Sequence, residues 1–391
     1  MIISTADRLA QVSEYYFARK LAELRQREAA GESIINLGIG SPDLPPSDDT
    51  IRELINASLE PGVHGYQSYR GLPQLRKALA AWYLSTYGAA LDPEQEILPL
   101  MGSKEGIMHV SMAFLNPGDQ ALIPDPGYPT YTSNTRLAGG EPLFYRLSAE
   151  NGWLPDLDAL EQMDLRRVKL MWINYPHMPT GASATPELFG ALVRFARRHR
   201  ILLCHDNPYS LVLNPEPRSL LALPEARGAA IELNSLSKSH NMAGWRIGMA
   251  AGDAAYINAI LQVKSNMDSG MFLPLQRAAV QALKSSYAWH AERNDEYRLR
   301  RETVFGLLRA IGCTFDPGQC GLFVWARIPE DAASGEALSE SILNRTGVFI
   351  TPGFIFGSAG ERYVRVSLCA SQARLREALE RVLRHQIAWS N

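Results

Sequence analysis

Short apolar segments alternate with stretches of helical spacing from about residue 95 onward, and this alternation limits the folds that the chain can adopt. Four such segments lie at 120–125, 168–175, 200–206 and 229–236. A stretch with helical spacing, 186–200, lies between two of them. Buried strands that alternate with helices are typical of a mostly parallel sheet with both faces covered. The sequence therefore predicts an α/β fold.

Polar residues that can carry out chemistry come at or just after the ends of these apolar segments. They are Asp125, Tyr128, Asn174, Asp206, Ser235 and Lys238. In open parallel sheets, ligands bind at the carboxyl ends of the strands, where such residues would meet. The agreement between topology and residue type predicts an active site at that edge of the sheet.

The pattern changes after about residue 285. We expect a long charged helix, a strand at 320–328, a helix near 336–345, a strand near 363–368 and a final helix at 371–388. The first 35 residues have helical spacing, and they lead into a loop rich in Gly, Pro and Asp. This organisation predicts a large domain at 48–285 and a smaller α+β domain formed by 1–47 and 286–391.

Composition and charge exclude several classes of protein. With 39 Lys and Arg against 41 Asp and Glu, the net charge is −2, so neither nucleic acid nor an anionic membrane is an expected partner. The apolar fraction of 46% excludes disorder, and four cysteines are too few for a disulfide scaffold. No apolar run is long enough to span a membrane, and the N-terminal segment lacks a secretory pattern. We expect a cytoplasmic protein without a metal site.

Lys238 lies in a turn rich in Ser and Asn, directly after an apolar segment. The charge of a lysine is costly to bury, and a lysine with a lowered pKa is suited to form a Schiff base. Ser235, Ser237 and Arg246 in the same stretch could hold a phosphate group. The alternative is an ordinary solvated loop lysine.

Three further features strengthen the case for a chemical role. Asp206 precedes Lys238 by 32 residues, about the length of one βαβ unit. A carboxylate there could pair with the pyridinium nitrogen of pyridoxal phosphate. The stretch GSKEGI (102–107) is typical of a turn that opens a helix and binds phosphate through backbone N–H groups. Tyr128 could stack on a flat ring. The alternatives are a turn carboxylate, an ordinary helix start and a packed aromatic residue.

Taken together, five stretches resemble fold-type I pyridoxal-phosphate enzymes, specifically the class I/II aminotransferases. They are GSKEGI (102–107), PDPGYPTY (124–131), NYPHMPTG (174–181), HDNPYS (205–210) and LNSLSKSHNMAGWRIG (233–248). The resemblance implies a large domain with a mostly parallel, seven-stranded-type sheet flanked by helices, plus a smaller α+β domain. The segment GYQSYRGLPQLR (65–76) is similar to LL-diaminopimelate and aspartate aminotransferases.

The resemblance also implies roles for residues around the cofactor, pyridoxal 5′-phosphate. Lys238 matches the Schiff-base lysine, which carries the proton between the substrate Cα and the cofactor. Asp206 matches the partner of the ring nitrogen, Tyr209 the donor to the ring oxygen O3′, and Tyr128 the stacking aromatic. The phosphate ligands are matched by Ser103, Lys104, Ser235, Ser237 and Arg246.

Substrate and partner contacts follow from the same resemblance. Arg365 matches the arginine that binds the α-carboxylate, and Gly40 matches a backbone contact to the same group. Tyr15 falls where diaminopimelate-type members contact the substrate. Tyr66 matches a tyrosine that reaches the phosphate bound by the partner subunit, so a homodimer with shared active sites is implied.

One residue departs from the family pattern. The family has Asn-Pro-Thr-Gly where this chain has Met178-Pro179-Thr180-Gly181, and methionine cannot donate the hydrogen bond that the asparagine gives to O3′. Tyr209 would then be the remaining protein donor, unless Asn174 or a water substitutes. The departure is either a tolerated variation or a sign of a retuned cofactor or a different reaction.

The predicted function is an aminotransferase that moves the α-amino group of an L-amino acid to a 2-oxo acid in a ping-pong cycle. The alternatives are a lyase or decarboxylase on the same cofactor, and a cofactor-sensing regulator, which would need an added DNA-binding domain. The sequence leaves the donor and acceptor open. It does not show which of Arg70, Arg136 and Arg345, if any, binds a second substrate carboxylate.

Overall fold

The computed structural model describes residues 3–10, 12 and 16–385 of the chain. Its α-helices are α1 (Tyr16–Ala29), α2 (Asp48–Ser58), α3 (Pro73–Tyr87), α4 (Ser103–Phe114), α5 (Pro129–Leu137), α6 (Leu157–Glu161), α7 (Pro186–His199), α8 (Leu236–Ser239), α9 (Ala254–Lys264), α10 (Leu273–Ala282), α11 (Tyr287–Ala310), α12 (Gly335–Thr346) and α13 (Gln372–Arg384). Its strands are β1 (Ile35–Asn36), β2 (Ile97–Leu100), β3 (Gln120–Asp125), β4 (Glu141–Arg146), β5 (Val168–Ile173), β6 (Leu202–Asp206), β7 (Ala230–Ser235), β8 (Gly248–Gly252), β9 (Phe323–Arg327), β10 (Val348–Phe349), β11 (Thr351–Pro352) and β12 (Tyr363–Ser367).

A seven-stranded sheet with the order β2-β8-β7-β6-β5-β3-β4 forms the centre of the molecule. Strand β8 is antiparallel to both of its neighbours, and the other adjacent pairs are parallel. The predicted strands are confirmed as β3, β5, β6 and β7, and with them the α/β fold class. Sequence reasoning missed β8, because its Gly- and Ala-rich sequence has low strand propensity and pairing with two neighbours supplies its stability.

Helices cover both faces of this sheet, as the continuous apolar strands require. Successive residues of β5 point to opposite faces. Leu170 and Trp172 pack in a cluster with Val110 of α4 on one side. Met171 packs in a cluster with Phe189 of α7 on the other. None of the helices in the described ranges is both long enough and apolar enough to cross a lipid bilayer.

A second, antiparallel sheet with the order β11-β12-β9 lies in the C-terminal part of the chain. The contacts of α11 with α13 and β9, and of α12 with β11 and β12, build the expected α+β unit around it. Strand β1 pairs in parallel with β10, which attaches the N-terminal segment to this unit. The domain limits at 47/48 and 285/286 stay a prediction.

The ends of the chain differ from the sequence-based expectation. The helix expected across the first 35 residues is confirmed only as α1, because a 3-10 turn at Asp7–Leu9 and non-helical backbone at 4–6 and 30–34 interrupt the pattern. The final helix spans Gln372–Arg384, and positions 386–388 of the expected helix lie outside the described residues. Helical spacing of apolar residues therefore located both helices but overestimated the length of the first.

Candidate active site

A cavity of about 540 Å³ lies at the carboxyl ends of β3, β5, β6 and β7. Most of the site residues predicted from sequence line it: Gly40, Ser103, Lys104, Tyr128, Asn174, Asp206, Tyr209, Ser235, Ser237, Lys238, Arg246 and Arg365. The parallel strands bring these residues to one edge of the sheet, and the segment at 38–40 and β12 close the cavity from the other side.

Lys238 lies on α8, the four-residue helix that follows β7. The side chain of Ser235 caps this helix by accepting a hydrogen bond from the backbone N–H of Ser237. The Lys238 Nζ donates a hydrogen bond to the carbonyl oxygen of Gly40. Burial lowers the pKa of Lys238, and the nearby guanidinium groups of Arg365 and Arg246 lower it further. Lys238 is therefore closer to a neutral, nucleophilic amine than a solvated lysine is.

Asp206 ends β6 and is only 4% exposed. Its Oδ2 accepts a hydrogen bond of 2.9 Å from the hydroxyl of Tyr131. Its Oδ1 is buried and has no hydrogen-bond partner among the described residues. Burial raises the pKa of Asp206 to about 6. A buried carboxylate with one oxygen unsatisfied is suited to accept a hydrogen bond from a cationic N–H group of a ligand.

The end of the cavity away from Asp206 contains a helix start and an arginine, as is typical of an anion-binding site. Ser103 is the first residue of α4, and both Ser103 and Lys104 line the cavity, so the start of this helix lies at this end. Arg246 donates hydrogen bonds to the carbonyl oxygens of Met101 and Ala243, which fix its guanidinium beside Gly102. Gly102 has a φ of +89°, which side chains rarely adopt, and a Cβ atom there would lie 2.1 Å from the Arg246 Nη2, so both backbone and space favour glycine.

Arg365 lies in the middle of β12 and is 4% exposed. Its Nη2 donates a hydrogen bond of 2.9 Å to the carbonyl oxygen of Gly38. The guanidinium carbon lies 3.8 Å from the ring centre of Phe323 and 4.6 Å from that of Phe356. These contacts hold a planar cation rigidly at the cavity wall, as bidentate binding of a carboxylate requires.

Met178 extends its thioether into the same region. Its Sδ lies 3.2 Å from the Arg365 Nη1. Its backbone N–H donates to the Oδ1 of Asn174, whose Nδ2 donates to the backbone carbonyl of Asp206 at 2.5 Å. The Asn174 amide therefore joins two strand ends, while the side chain facing Arg365 is an apolar thioether.

The comparison with known proteins identifies the family. A family model described as aminotransferase class I and II matches residues 32–382. The chain belongs to this family. Aminotransferases of this class depend on pyridoxal phosphate in general, and their substrates are amino acids and 2-oxo acids. The predicted transaminase activity is confirmed over the lyase and decarboxylase alternatives.

Relatives and solved structures agree with this assignment. The aminotransferase is 41% identical to the LL-diaminopimelate aminotransferase of Dehalococcoides mccartyi, over 96% of this chain and 97% of the relative. It is 43% identical to that of Oleidesulfovibrio alaskensis, over 96% and 98% of the two chains. The apo-BacF structure from Bacillus subtilis superposes with a TM-score of 0.94 at 36% identity, covering 99% of both chains.

The cavity residues of the aminotransferase fit the cofactor of its family. The unsatisfied Oδ1 of Asp206 suits a protonated ring nitrogen, and the helix start with Arg246 suits a phosphate. Burial raises the pKa of Tyr209, so its hydroxyl keeps its proton and can donate a hydrogen bond. The donor set therefore matches the three polar parts of pyridoxal phosphate.

Two predicted site residues are not among the described residues that line the cavity. Tyr66 is 93% exposed and does not line the cavity of its own chain, so its contact with a partner subunit stays a prediction. Tyr15 lies outside the described residues. Among the arginines left open by the sequence, Arg70 donates to the carbonyl of Glu94, and Arg136 lines a neighbouring cavity.

Sequence reasoning also missed residues that line the cavity. Tyr131 belongs to the stretch PDPGYPTY, but the sequence did not distinguish it from its neighbours. In the structure its ring stacks on Trp172 with ring centres 5.0 Å apart, and its hydroxyl donates a hydrogen bond to Asp206. Phe17, Phe323 and Phe356 surround Arg365 from three distant segments. Ordinary apolar residues of this kind carry no local signal of their place in a site.

Replacing Tyr131 with phenylalanine should weaken cofactor binding by about 10-fold. The variant removes the hydrogen bond that the Tyr131 hydroxyl donates to the Asp206 carboxylate, and a hydrogen bond to a charged group contributes about 1.5–3 kcal/mol. The measurement is a titration of apoenzyme with pyridoxal phosphate. Tyr145→Phe is the matched control, because the Tyr145 hydroxyl is equally buried but binds the carbonyl of Trp172. Equal affinity in the two variants would contradict the role of Tyr131.

Proposed function

We propose that the aminotransferase binds pyridoxal 5′-phosphate in this cavity and moves the α-amino group of an L-amino acid to a 2-oxo acid. The observation that supports this most directly is that Lys238, Arg365 and the unsatisfied oxygen of Asp206 face a single cavity. Pyridoxal phosphate, when bound, supplies an electron sink for the charge left when the substrate Cα loses its proton.

The residues proposed to hold the cofactor divide by the part that they bind. Ser103, Lys104, Ser235, Ser237 and Arg246 would hold the phosphate, and Asp206 would bind the ring nitrogen. Tyr209 and Asn174 would contact O3′, Tyr128 would stack on the ring, and Lys238 would attach covalently. Asp206 keeps a proton on the ring nitrogen, because a carboxylate buried beside it stabilises the cationic form.

Lys238 and Arg365 act on the substrate. Lys238 would take the proton from Cα and return it during the cycle, and burial lowers its pKa, which favours the neutral amine that this role needs. Arg365 binds the α-carboxylate and so fixes the direction of the Cα–H bond toward Lys238. The rings of Phe323 and Phe356 around Arg365 exclude water, which strengthens the ionic contact.

The proposal extends to assembly, domains and location. We propose a homodimer in which Tyr66 of each subunit reaches the phosphate bound by the other, because the tyrosine is exposed and away from its own cavity. We also propose the domain division at 48–285 and at 1–47 with 286–391. A cytoplasmic location is supported by four free cysteines, none of which forms a disulfide in the described chain.

A half-reaction tests the proposed function. With an amino acid alone, the absorbance of the bound cofactor should change once, release one equivalent of 2-oxo acid and then stop. Addition of a second 2-oxo acid should restore the original spectrum. Continuous product formation without a 2-oxo acid would instead indicate a lyase or a decarboxylase.

Replacing Met178 with asparagine should lower the pKa of the cofactor in the resting holoenzyme. An amide that reaches O3′ would stabilise its anionic form, which is the form present when the nitrogen attached to Lys238 is unprotonated. The thioether provides no such donor. The pKa changes only by the difference in how strongly the new hydrogen bond stabilises the unprotonated and the protonated form. We therefore expect the pKa to decrease by roughly 1 unit.

The measurement is a pH titration of cofactor absorbance in wild type and Met178→Asn. Met178→Leu is the control, because it preserves volume and adds no donor, and its titration should match that of wild type. An unchanged or higher pKa in Met178→Asn, at full cofactor occupancy, would show that another group already donates to O3′.

A further inference from the structure

Arg293 lies in the second turn of α11 and is 4% exposed, and it is not one of the residues that line the cavity. Its Nη1 donates a hydrogen bond to the backbone carbonyl of Ser239, and its Nη2 donates to that of Leu211 at 2.5 Å. The guanidinium carbon lies 5.6 Å from the ring centre of Trp289, one turn earlier on the same helix. One planar cation therefore joins two separate segments of the chain to α11.

The first of these segments is α8, the helix that holds Lys238. Ser239 is its last residue and directly follows the lysine. A helix of four residues has little stability of its own, and the carbonyls of its last turn lack partners within the helix. Ser235 caps the start of α8 and Arg293 binds its end, so side chains hold the helix at both ends.

The second segment follows Tyr209. Leu211 comes two residues after this tyrosine, and its carbonyl also accepts a hydrogen bond of 3.1 Å from the Nδ2 of Asn294. The Oδ1 of Asn294 accepts a hydrogen bond of 3.2 Å from the backbone N–H of Leu213. Because Arg293 and Asn294 are adjacent, the same turn of α11 holds this segment and the end of α8.

The buried guanidinium opposes folding through its desolvation. Burial lowers the pKa of Arg293 to about 10, so the group still carries its charge at neutral pH. An apolar side chain of similar length would avoid the cost of burying a cation. It could not, however, donate to two carbonyls at once. The charge at this position therefore contributes to the geometry of the two segments more than to the stability of the fold.

We propose that Arg293 is a positioning residue for transamination, which fixes the backbone of Lys238 and Tyr209 relative to each other. The proposal rests on the proposed function, in which Lys238 attaches the cofactor and Tyr209 donates to O3′. These two groups would act on neighbouring positions of the ring, and a shift of about 1 Å in such a group can cost about 100-fold in rate.

The test compares wild type with Arg293→Met, which nearly keeps the length of the side chain and removes its donors. In the half-reaction of the holoenzyme, we expect the maximal rate to fall at least about 10-fold. The amino-donor concentration that gives half of this rate should change by less than about 2-fold, because Arg365 is intact. Pyridoxal phosphate should also attach to the apoenzyme at least about 10-fold more slowly, as measured by absorbance and by trapping with borohydride.

Arg362→Met is the matched control, because Arg362 also joins two backbone carbonyls, those of Ala332 and Pro329, away from the cavity. It should lower the thermal unfolding midpoint and leave both rates unchanged. Arg293→Lys keeps one cationic donor and should recover part of both losses.

Equal rates in the Arg293 and Arg362 variants, whether unchanged or reduced, would overturn the positioning role. If Arg293→Met yields no folded protein, the same comparison is made with Arg293→Lys, whose rates should lie below those of the control. A wild-type holoenzyme that does not complete the half-reaction with any L-amino acid would instead overturn the proposed function itself.

Discussion

Replacing Lys238 with alanine should reduce transamination by at least about 10⁴-fold. The variant loses both the covalent attachment of the cofactor and the amine that carries the proton, and each is a separate source of catalysis. The fold should remain intact, because the hydrogen bond from the Lys238 side chain goes to the carbonyl of Gly40 at the cavity, and the large hydrophobic core does not depend on it. Turnover, cofactor absorbance and the thermal unfolding midpoint are the measurements.

Lys169→Ala provides the control for this prediction. Lys169 is an exposed lysine on β5, outside the cavity, and its loss should leave both turnover and the cofactor spectrum unchanged. If a clean preparation of Lys238→Ala kept near-complete turnover, the assignment of the active site to this cavity would be wrong.

Replacing Arg365 with lysine should raise KM for every amino acid and 2-oxo acid alike, by about 10- to 100-fold. All of these substrates share the α-carboxylate, and an ammonium group cannot reproduce two parallel hydrogen bonds from a planar fork. Lysine also loses the contacts that hold the guanidinium against Phe323 and Phe356. Steady-state kinetics with several donors and acceptors measure the effect.

Arg362→Lys is the matched control for Arg365→Lys. Arg362 lies just before β12 and donates to the backbone carbonyls of Ala332 and Pro329, away from the cavity. Its replacement should change stability and not KM. If the loss in Arg365→Lys were confined to dicarboxylic substrates, Arg365 would bind the side chain instead of the α-carboxylate.

Many strands and helices of the fold were predictable from the local pattern of apolar residues in the sequence. The strands β3, β5, β6 and β7 are buried on both faces, so they appear in the sequence as continuous apolar segments with clear ends. The helix α7 has a clear apolar stripe and begins at a Pro preceded by a Thr cap. Because parallel strands end at one edge of a sheet, the grouping of Asn174, Asp206 and Lys238 was also predictable.

Two strands of the large sheet, β4 and β8, could not be predicted from the sequence. Strand β4 lies at the edge of the sheet and is partly exposed, so it lacks a continuous apolar segment. Strand β8 forms because antiparallel neighbours on both sides supply its hydrogen bonds. In both cases the partner strands, and not the residues themselves, determine the structure.

The sequence alone thus determined the fold class, the family and the edge of the sheet where the chemistry lies. Only the tertiary structure decided what surrounds Arg365. The contact of its guanidinium with Met178 joins residues 187 positions apart, and the contact with Gly38 joins residues 327 apart. Such contacts arise when the loops that contain Gly38 and Met178 meet β12 in the folded chain, and no local propensity records them. For the same reason, the aromatic surroundings of Arg365 are a property of the folded chain, because Phe17, Phe323 and Phe356 come from three distant segments.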